Sequence, residues 1–372
     1  MKKRILSIIM SIITMFTASA PVAKDNNKLP EESSSISGVK DNVLEDNTEV
    51  DIPETDNKTT LTISAVGDCT LGRDDRGNYY NSLPYFLEQN NNDYSYFFNG
   101  VYDILNNDDL TIANLESVFT DYNVRADKKF TFKAPSDFVN ILIDGSVEAV
   151  NVANNHTYDY LEKGYNDTIE TLSNSPVSYF GNGLYSIVIV NDKKIGLCGI
   201  KGWDKKLAFN DIDGAIKYFK ENNTDIEIFS FHWGEERVYS QNKTQQEVAK
   251  YAIDSGADLV LGHHPHVLQG IEKYKDKYII YSLGNFVFGG NKNPSDKDSM
   301  IVQIKFNYDG DTLINTDINI IPVSISSVKG YNDYQPTILT GDNKERVLKK
   351  VLKSSVNFNY ENNNWQIENL II

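Results

Sequence analysis

The chain has 372 residues and a mass of 42.0 kDa, which is enough for one large α/β domain with extensions. Lys and Arg number 36 against 52 Asp and Glu, and the formal net charge of −16 argues against a nucleic-acid binder, which needs a basic face. Two cysteines are too few for a disulfide scaffold or a structural zinc site. The chain has only five histidines, so their positions carry information.

The N-terminus has the three-part layout of a secretory signal. Residues 2–4 are basic, residues 5–16 are almost wholly apolar, and residues 18–20 read Ala-Ser-Ala, the pattern that a signal peptidase cuts. Pro21 directly after this tripeptide disfavours cleavage, so residues 1–20 are either a signal peptide or an uncleaved N-terminal membrane anchor. In both cases we expect an extracytoplasmic protein at the cell surface, membrane-anchored or secreted.

The next segment, residues 21–60, has four lysines against ten acidic residues and few large apolar side chains. Such a segment cannot bury enough surface to offset the entropy of ordering it, so we expect a disordered acidic spacer. We place the folded domain at residues 61–325. Residues 326–372 are expected to form a C-terminal extension that packs on this domain.

The folded part alternates strand and helix patterns, which is typical of an α/β domain. Strands are predicted at residues 61–66, 110–114, 149–153, 184–190, 194–200, 226–232, 259–261, 278–283, 301–307 and 316–322. Helices are predicted at residues 95–106, 136–145 with Ser136 as the N-cap, 162–173, 213–222, 243–255 and 347–354. Asn191 and Asp192 predict the turn of a hairpin.

Polar residues collect where the predicted strands end, and all five histidines lie in three of these places. In α/β folds the carboxyl ends of strands face one crevice, where ligands bind. A single such residue is more often a strand-end cap, but together the carboxylates, amides and imidazoles form a mixed oxygen and nitrogen ligand set. That set suits Mn²⁺, Fe or Zn²⁺ better than Ca²⁺ and predicts one or two divalent metal ions. Its members are Asp68, Asn114, Glu116, Asn155, His156, His232, His263, His264, His266 and Asn285.

Several segments, in their order along the chain, carry a resemblance to a known family. They are AVGDCTLGRD from Ala65, NLESVFT from Asn114, KFTFKAP from Lys129, NVANNHTYDY from Asn151, FHWGEE from Phe231, GADLVLGHHPHVLQGIE from Gly256 and YSLGNFVF from Tyr281. From about Leu61 to Pro322 the chain resembles the CapA family of poly-γ-glutamate capsule proteins. The resemblance implies a calcineurin-like metallophosphatase fold, which is an α/β four-layer αββα sandwich of two mixed sheets.

The resemblance also implies roles for individual residues. His156 would stabilise the leaving group or the transition state, and Asp159 and Glu236 would orient neighbouring groups or donate protons. Arg73 is a candidate anion clamp. His263 lies outside the family's recurrent pattern. The implied metal ligands are Asp68, Glu116, Asn155, His232, His264 and His266, with Glu116 in the position that bridges two ions.

Three residues depart from what the resemblance implies. Thr70 stands where two-metal phosphatases have a histidine, and Glu116 replaces an aspartate and reaches one methylene further. Arg237 follows Glu236 where the family often has an aromatic residue. Metal binding therefore does not by itself imply ordinary phosphatase activity here.

We expect a protein of poly-γ-glutamate capsule synthesis, export or anchoring, with a metal-dependent site that permits hydrolysis of a phosphoester or an amide. A general cell-surface metallophosphoesterase and a non-catalytic, polymer-binding module of a synthase complex are the alternatives. The expected partners are an anionic polymer such as poly-γ-glutamate and membrane synthase or export subunits, and no nucleic acid. An acidic domain that handles such a polymer needs local cations, which could be Arg73, Arg125, Lys128, Lys129 and Lys133.

Overall fold

A computed structural model describes residues 58–360 and a two-residue strand at residues 7–8. Apart from that strand, the predicted signal or anchor lies outside the described residues, as do residues 21–57 of the predicted spacer and residues 361–372. What the sequence indicates for the two termini therefore stays a prediction. Among the described residues, no helix combines the length and the apolar character needed to cross a bilayer.

The described elements alternate as the sequence pattern predicts. The strands are β1 (Ser7–Ile8), β2 (Lys58–Thr70), β3 (Leu110–Leu115), β4 (Val118–Phe119), β5 (Lys133–Ala134), β6 (Ala149–Asn151), β7 (Ser178–Phe180), β8 (Tyr185–Val190), β9 (Lys193–Lys201), β10 (Ile226–His232), β11 (Leu259–His263), β12 (Ile271–Tyr274), β13 (Lys277–Ile280), β14 (Asn285–Phe288), β15 (Asp298–Asp309), β16 (Thr312–Ser324) and β17 (Thr337–Ile338). The helices are α1 (Leu83–Gln89), α2 (Tyr102–Leu105), α3 (Val139–Asp144), α4 (Leu161–Ser173), α5 (Lys205–Glu221), α6 (Lys243–Ser255) and α7 (Gly341–Lys353).

Two mixed sheets form the centre of the molecule. The first sheet has the order β1-β8-β9-β10-β11-β13-β12. Its strands β9, β10, β11 and β13 run parallel to one another. The second sheet has the order β17-β16-β15-β2-β3-β6-β7, with β14 paired to β2, and its strands β2, β3, β6 and β7 run parallel. Parallel strands point their carboxyl ends toward the same edge, which is where the predicted site residues follow.

The sheets pack face to face, and helices cover their outer faces. The cluster between them contains aliphatic residues of both sheets, such as Ile63, Ile112, Ile228 and Leu261. Helices α1, α3 and α4 bury their apolar side chains on the second sheet, and α5 and α6 bury theirs on the first. This arrangement is the predicted four-layer αββα sandwich. The sequence prediction of the fold class is therefore confirmed.

The alternation of side chains along each strand decides which polar residues face the space between the sheets. In β10, Ile226 and Ile228 face the opposite sheet, so His232 comes to that same face at the end of the strand. In β3, Leu110 and Ile112 face inward, so Asn114 does as well, and Glu116 follows directly after the strand. The polar groups therefore collect between the two sheets, at the carboxyl ends of their parallel strands.

A polar seam joins the two sheets just below this edge. The amide of Asn151 in β6 donates to the Ser230 hydroxyl in β10 at 3.1 Å. The Ser230 hydroxyl lies 3.3 Å from His263 Nδ1, and His263 Nε2 lies 3.2 Å from the Val66 carbonyl in β2. His263 is completely buried in these contacts. It joins one sheet to the other, which explains why it stands apart from the other predicted ligands.

Four predicted helices differ from the structure in their bounds or their capping, and one of them is α7, which begins at Gly341 rather than at residue 347. The segment 95–106 holds only a 3₁₀ turn at Tyr94–Phe97 and the short α2, because Asn99 and Gly100 interrupt it. Helix α3 begins at Val139 after a 3₁₀ turn at Ser136–Phe138, so Ser136 is not its N-cap. Helix α5 begins at Lys205, earlier than predicted, because the Asp204 carboxylate accepts from the amides of two residues in its first turn.

The C-terminal helix α7 is part of the core. Val347, Leu348 and Val351 are buried in the cluster that lies between the sheets. On its other side, Arg346 makes two 2.6 Å hydrogen bonds to Asp298. Helix α7 therefore packs on the domain through both faces.

We predict that Leu348→Ala lowers the free energy of unfolding by about 2–4 kcal/mol, because it removes a buried side chain and leaves a cavity. The matched control is Lys349→Ala, at the next, exposed position of the same helix, which should change the free energy by less than about 0.5 kcal/mol. Urea unfolding of the full chain measures both. Equal effects of the two substitutions would show that α7 does not pack as described.

Candidate metal centre

Side chains from the ends of both sheets converge on two groups of ligand atoms. The ligand atoms of Glu116, His232 and His264 lie within 4.8 Å of one another, and so do those of Asp68, Glu116 and His266. All five are among the predicted metal ligands. Glu116 belongs to both groups, so the arrangement could hold two cations that share its carboxylate.

The Glu116 carboxylate is the centre of this arrangement. It is completely buried, and neither of its oxygens has a hydrogen-bond partner within residues 58–360. Its Oε1 lies 3.4 Å from His232 Nε2 and 3.7 Å from His266 Nε2. A buried carboxylate without a partner is costly, and a cation bound by this donor set would offset that cost. The residues present therefore fit a divalent metal ion.

Asn155, the remaining predicted ligand, lies beside the group formed by Glu116, His232 and His264. Its Oδ1 is 2.8 Å from His232 Nε2, which makes the amide oxygen available to the same ion. On the other ring nitrogen, His232 Nδ1 lies 3.2 Å from the Asn114 amide, and that amide also donates to Asp68 Oδ1 at 2.8 Å. Asn114 thus fixes the orientation of one residue from each group.

The segment from His264 to His266 is bent. Both histidines have left-handed backbones, with φ of 96° and 56°. The bend brings both rings to one side, with their centroids 5.8 Å apart. The Nδ1 of His264 is buried without a hydrogen-bond partner among the described residues. That nitrogen is thus a further unsatisfied ligand atom at the site, besides the two oxygens of Glu116.

Burial and neighbouring charges shift the pKa values of the residues at the centre in opposite directions. Burial raises the pKa of Glu116 well above its ordinary value and lowers the pKa of His264 to about 4. Burial also lowers the pKa of His266, but the charges of Glu116 and Asp68 outweigh it and raise the value to about 10. Without a metal, the protein therefore keeps a proton on His266 as the positive charge between its carboxylates.

His156 is held by a carboxylate at the edge of the centre. Its Nδ1 lies 2.6 Å from Asp159 Oδ2, and its Nε2 lies 4.0 Å from Glu116 Oε1. Asp159 is completely buried and also accepts from the Phe132 amide at 2.6 Å. With Nδ1 hydrogen-bonded in this way, Nε2 is the nitrogen that can exchange a proton with a group at the centre.

Lys128 supports the pair formed by His156 and Asp159. The sequence indicates this lysine only as one of several cations near the site. Its Nζ donates to Asp159 Oδ1 at 2.5 Å and to the Asn155 carbonyl at 2.7 Å. One ammonium therefore ties together the loop that carries Asn155, His156 and Asp159. Nothing in the spacing of the sequence indicates this long-range contact.

The two other predicted catalytic residues lie in different surroundings. Glu236 is exposed on the wall of a cavity of about 170 Å³, into which His156 and His266 also open. The guanidinium of Arg73 donates to the carbonyls of Asp74 and Gly77, and Arg73 lines a separate cavity. The structure does not bring Arg73 together with the ligand groups.

Trp203 is a residue of the site that the sequence analysis did not single out. Its ring meets the His264 ring edge-on, with centroids 4.8 Å apart, and lies 5.5 Å from the His232 ring. The side chain is 41% exposed, so it borders the centre on the solvent side. Trp203 follows shortly after β9, which pairs with β10, and this position at a strand end was the signal available in the sequence.

Thr70, at the position where two-metal phosphatases have a histidine, is buried, and its hydroxyl has no hydrogen-bond partner among the described residues. The group around Asp68 therefore has fewer nitrogen ligands than the group around His232 and His264. The two halves of the centre are unequal.

Comparison with known proteins points to one family. Residues 62–290 match the model of the family described as "Bacterial capsule synthesis protein PGA_cap". The chain is 31% identical to the PGA biosynthesis protein CapA of Bacillus subtilis (strain 168), over 75% of this chain and 77% of that protein. It is 30% identical to the capsule biosynthesis protein CapA of Bacillus anthracis, over 71% of this chain and 67% of that protein.

A more distant similarity reaches a probable polyglutamine synthesis accessory protein of Mycobacterium tuberculosis. The identity is 27%, over 48% of this chain and 55% of that protein. The names of these relatives refer to the synthesis of capsules, of PGA or of polyglutamine.

We predict that Glu116→Gln lowers the affinity for a divalent metal at least tenfold, because loss of a metal's supporting group alone costs about 10–100-fold. The metal-free variant should be at least as stable as the parent, since burial disfavours the charged form of Glu116. Metal analysis after loading with Mn²⁺ or Zn²⁺, and titration followed by the tryptophan fluorescence of the protein, measure the affinity.

The matched control is Glu272→Gln. Glu272 is also completely buried, but it is hydrogen-bonded to Tyr281 and paired with Lys250, away from the centre. This control should keep the parent's metal content. Equal metal content in all three proteins would remove Glu116 from the metal site.

Proposed function

Because this chain belongs to the bacterial capsule synthesis protein family PGA_cap, we propose that it takes part in the synthesis, export or anchoring of a poly-γ-glutamate capsule. The observation that carries this proposal is the unpartnered Glu116 carboxylate among the site histidines, in a chain with relatives named for capsule and PGA biosynthesis. A site of this kind is suited to act on the polymer or on an activated precursor.

The proposed chemistry is hydrolysis at a metal-dependent site. A divalent cation, Mn, Fe or Zn, held by Glu116 and the residues around it would supply Lewis-acid activation and neutralise negative charge. The protein's own contribution is positional. His156 presents Nε2 toward the centre while Asp159 holds Nδ1, so the ring can accept a proton or donate one to a leaving group.

The proposed substrate bond is a phosphoester or an amide. The metallophosphatase-like fold favours the phosphoester, and the names of the relatives favour the amide of a glutamate polymer. A non-catalytic, polymer-binding role is favoured by one observation, the replacement of a ligand histidine by Thr70.

We propose that the protein works outside the cytoplasmic membrane. The basic residues 2–4 and the apolar residues 5–16 support export, either with cleavage or as an anchor. The acidic stretch that precedes β2 would then hold the domain away from the membrane. The partners in this setting would be the polymer and membrane-bound synthase or export subunits.

We predict that cells with only the Asp68→Asn form make less surface polyglutamate than cells with the parent protein. The substitution keeps the shape of Asp68 but removes a charge from one ligand group. The matched control is Asp309→Asn, at an exposed position at the end of β15. Polymer in capsule extracts is the readout, with immunoblotting to verify export. Parent-level polymer in the Asp68→Asn strain would remove the metal site from the function.

We predict that His156→Gln lowers turnover by about 10²–10⁴-fold while metal content stays at the parent level, because a general acid or base contributes about that factor. The assay compares a phosphomonoester, a phosphodiester and a γ-linked glutamate oligomer. The bond that this site cleaves is identified as the one whose hydrolysis is slower in the variant than in the parent. A parent protein that holds its metal but cleaves none of the three substrates would favour the non-catalytic role.

A further inference from the structure

The cavity beside the metal centre contains one unusual lining residue. His156 and His266 open into this space of about 170 Å³, so a group bound there would lie next to the centre. Of the described residues that line it, Arg237 is the only lysine or arginine. The volume is below that of a pocket for a whole drug-sized ligand, so the cavity suits one group of a larger molecule.

The guanidinium of Arg237 is available for a ligand. Within residues 58–360 it has neither a hydrogen bond nor an ion pair, although Glu236 precedes it and Asp296 lines the same cavity. Asp296 is already occupied, because it accepts from Lys350 Nζ at 2.5 Å and from the Tyr239 hydroxyl at 2.9 Å. The positive charge of Arg237 is therefore not neutralised by the protein.

The backbone fixes Arg237 relative to the site histidines. Its amide donates to the Pro265 carbonyl at 2.8 Å, between His264 and His266. The residue has a left-handed backbone with φ of 61°, which is uncommon for a side chain of this kind. The side chain therefore starts from a point that is tied to the segment carrying two candidate ligands.

Other cations near the mouth are engaged by the protein. Lys128 binds Asp159, Arg76 binds Asp74 and the Lys129 carbonyl, and Lys133 binds the Tyr122 carbonyl. Arg73, the cation that the sequence favoured, lines another cavity. The ammonium of Lys129 lies over the Phe130 ring, 5.1 Å from its centroid. Arg237 is thus the one lysine or arginine among the described lining residues, and its guanidinium is free for an anion at this position.

The walls of the cavity add an apolar component. Phe130, Phe132, Tyr239 and Phe288 line it together with Val267. Phe130 is 51% exposed and Tyr239 45% exposed, so their rings border the opening. An aliphatic chain that ends in a carboxylate or phosphate group would place its stem against these rings and its charge at the guanidinium.

We propose that Arg237 binds an oxyanion group of the substrate, a carboxylate or a phosphate carried on an aliphatic stem, and so determines which substrates enter the metal centre. This inference rests on the proposed function, because it names the group that the same site selects. The guanidinium acts by binding and is not part of the proton transfer assigned to His156.

The test uses the full chain loaded with Mn²⁺ and two probes, a short γ-linked glutamate oligomer and inorganic phosphate. Calorimetry measures the binding of each probe to the parent and to Arg237→Gln, Arg237→Lys and Lys217→Gln. Lys217 is an exposed cation of α5, so its variant removes an equal charge far from the cavity. Metal content and circular dichroism show whether each variant is folded and loaded.

We expect Arg237→Gln to weaken the binding of at least one probe about tenfold, since a charge-assisted hydrogen bond is lost. Arg237→Lys should weaken the binding less, because lysine keeps the positive charge but cannot make bidentate hydrogen bonds to an oxyanion. Lys217→Gln should bind as the parent does. Binding of the oligomer identifies a carboxylate ligand, and binding of phosphate alone supports Arg237 while counting against the polymer role.

Equal binding by the parent and Arg237→Gln would overturn the role of Arg237 and leave the capsule function standing. Failure of the parent protein to bind either anion would also overturn the proposed role of Arg237. The capsule function is judged separately, by the polymer yield of the complemented cells, so the two failures can be told apart.

Discussion

Glu116 places a carboxylate at the junction of the two sheets, fully buried and without a hydrogen bond to any residue of the described range 58–360. Such a group costs several kcal/mol unless a positive charge compensates it. His232, His264 and His266 surround it, and in the absence of metal the proton on His266 supplies that charge. The centre is therefore a place where the fold requires a cation, whether a proton or a metal ion.

The sandwich makes this unfavourable arrangement possible by holding it from both sides. The inward-facing positions of β3 are aliphatic up to Asn114, and those of β10 are aliphatic up to Ser230 and His232. Below that edge, Asn151, Ser230 and His263 join the sheets through hydrogen bonds. Hydrophobic burial thus supplies the stability, and the polar seam sets the position of one sheet relative to the other.

The sequence predicted those features that depend on local pattern. Strand β10 and helix α6 have the predicted bounds, because alternation, an N-cap and a terminal glycine mark them locally. It did not predict contacts that join distant segments, such as the bonds from Lys128 to the loop of His156. Arg73 illustrates the same limit, since its neighbours along the chain take up its guanidinium.

Helix α7 has a consequence for the order in which the protein is assembled. Its Lys350 holds Asp296 on the wall of the cavity beside the metal centre, although the helix lies beyond the matched residues 62–290. A ribosome releases the ligand-bearing segments first and α7 last. The segments that carry the candidate ligands are therefore made before the helix that holds this wall of the cavity, so the ligand groups and the cavity wall depend on different parts of the chain.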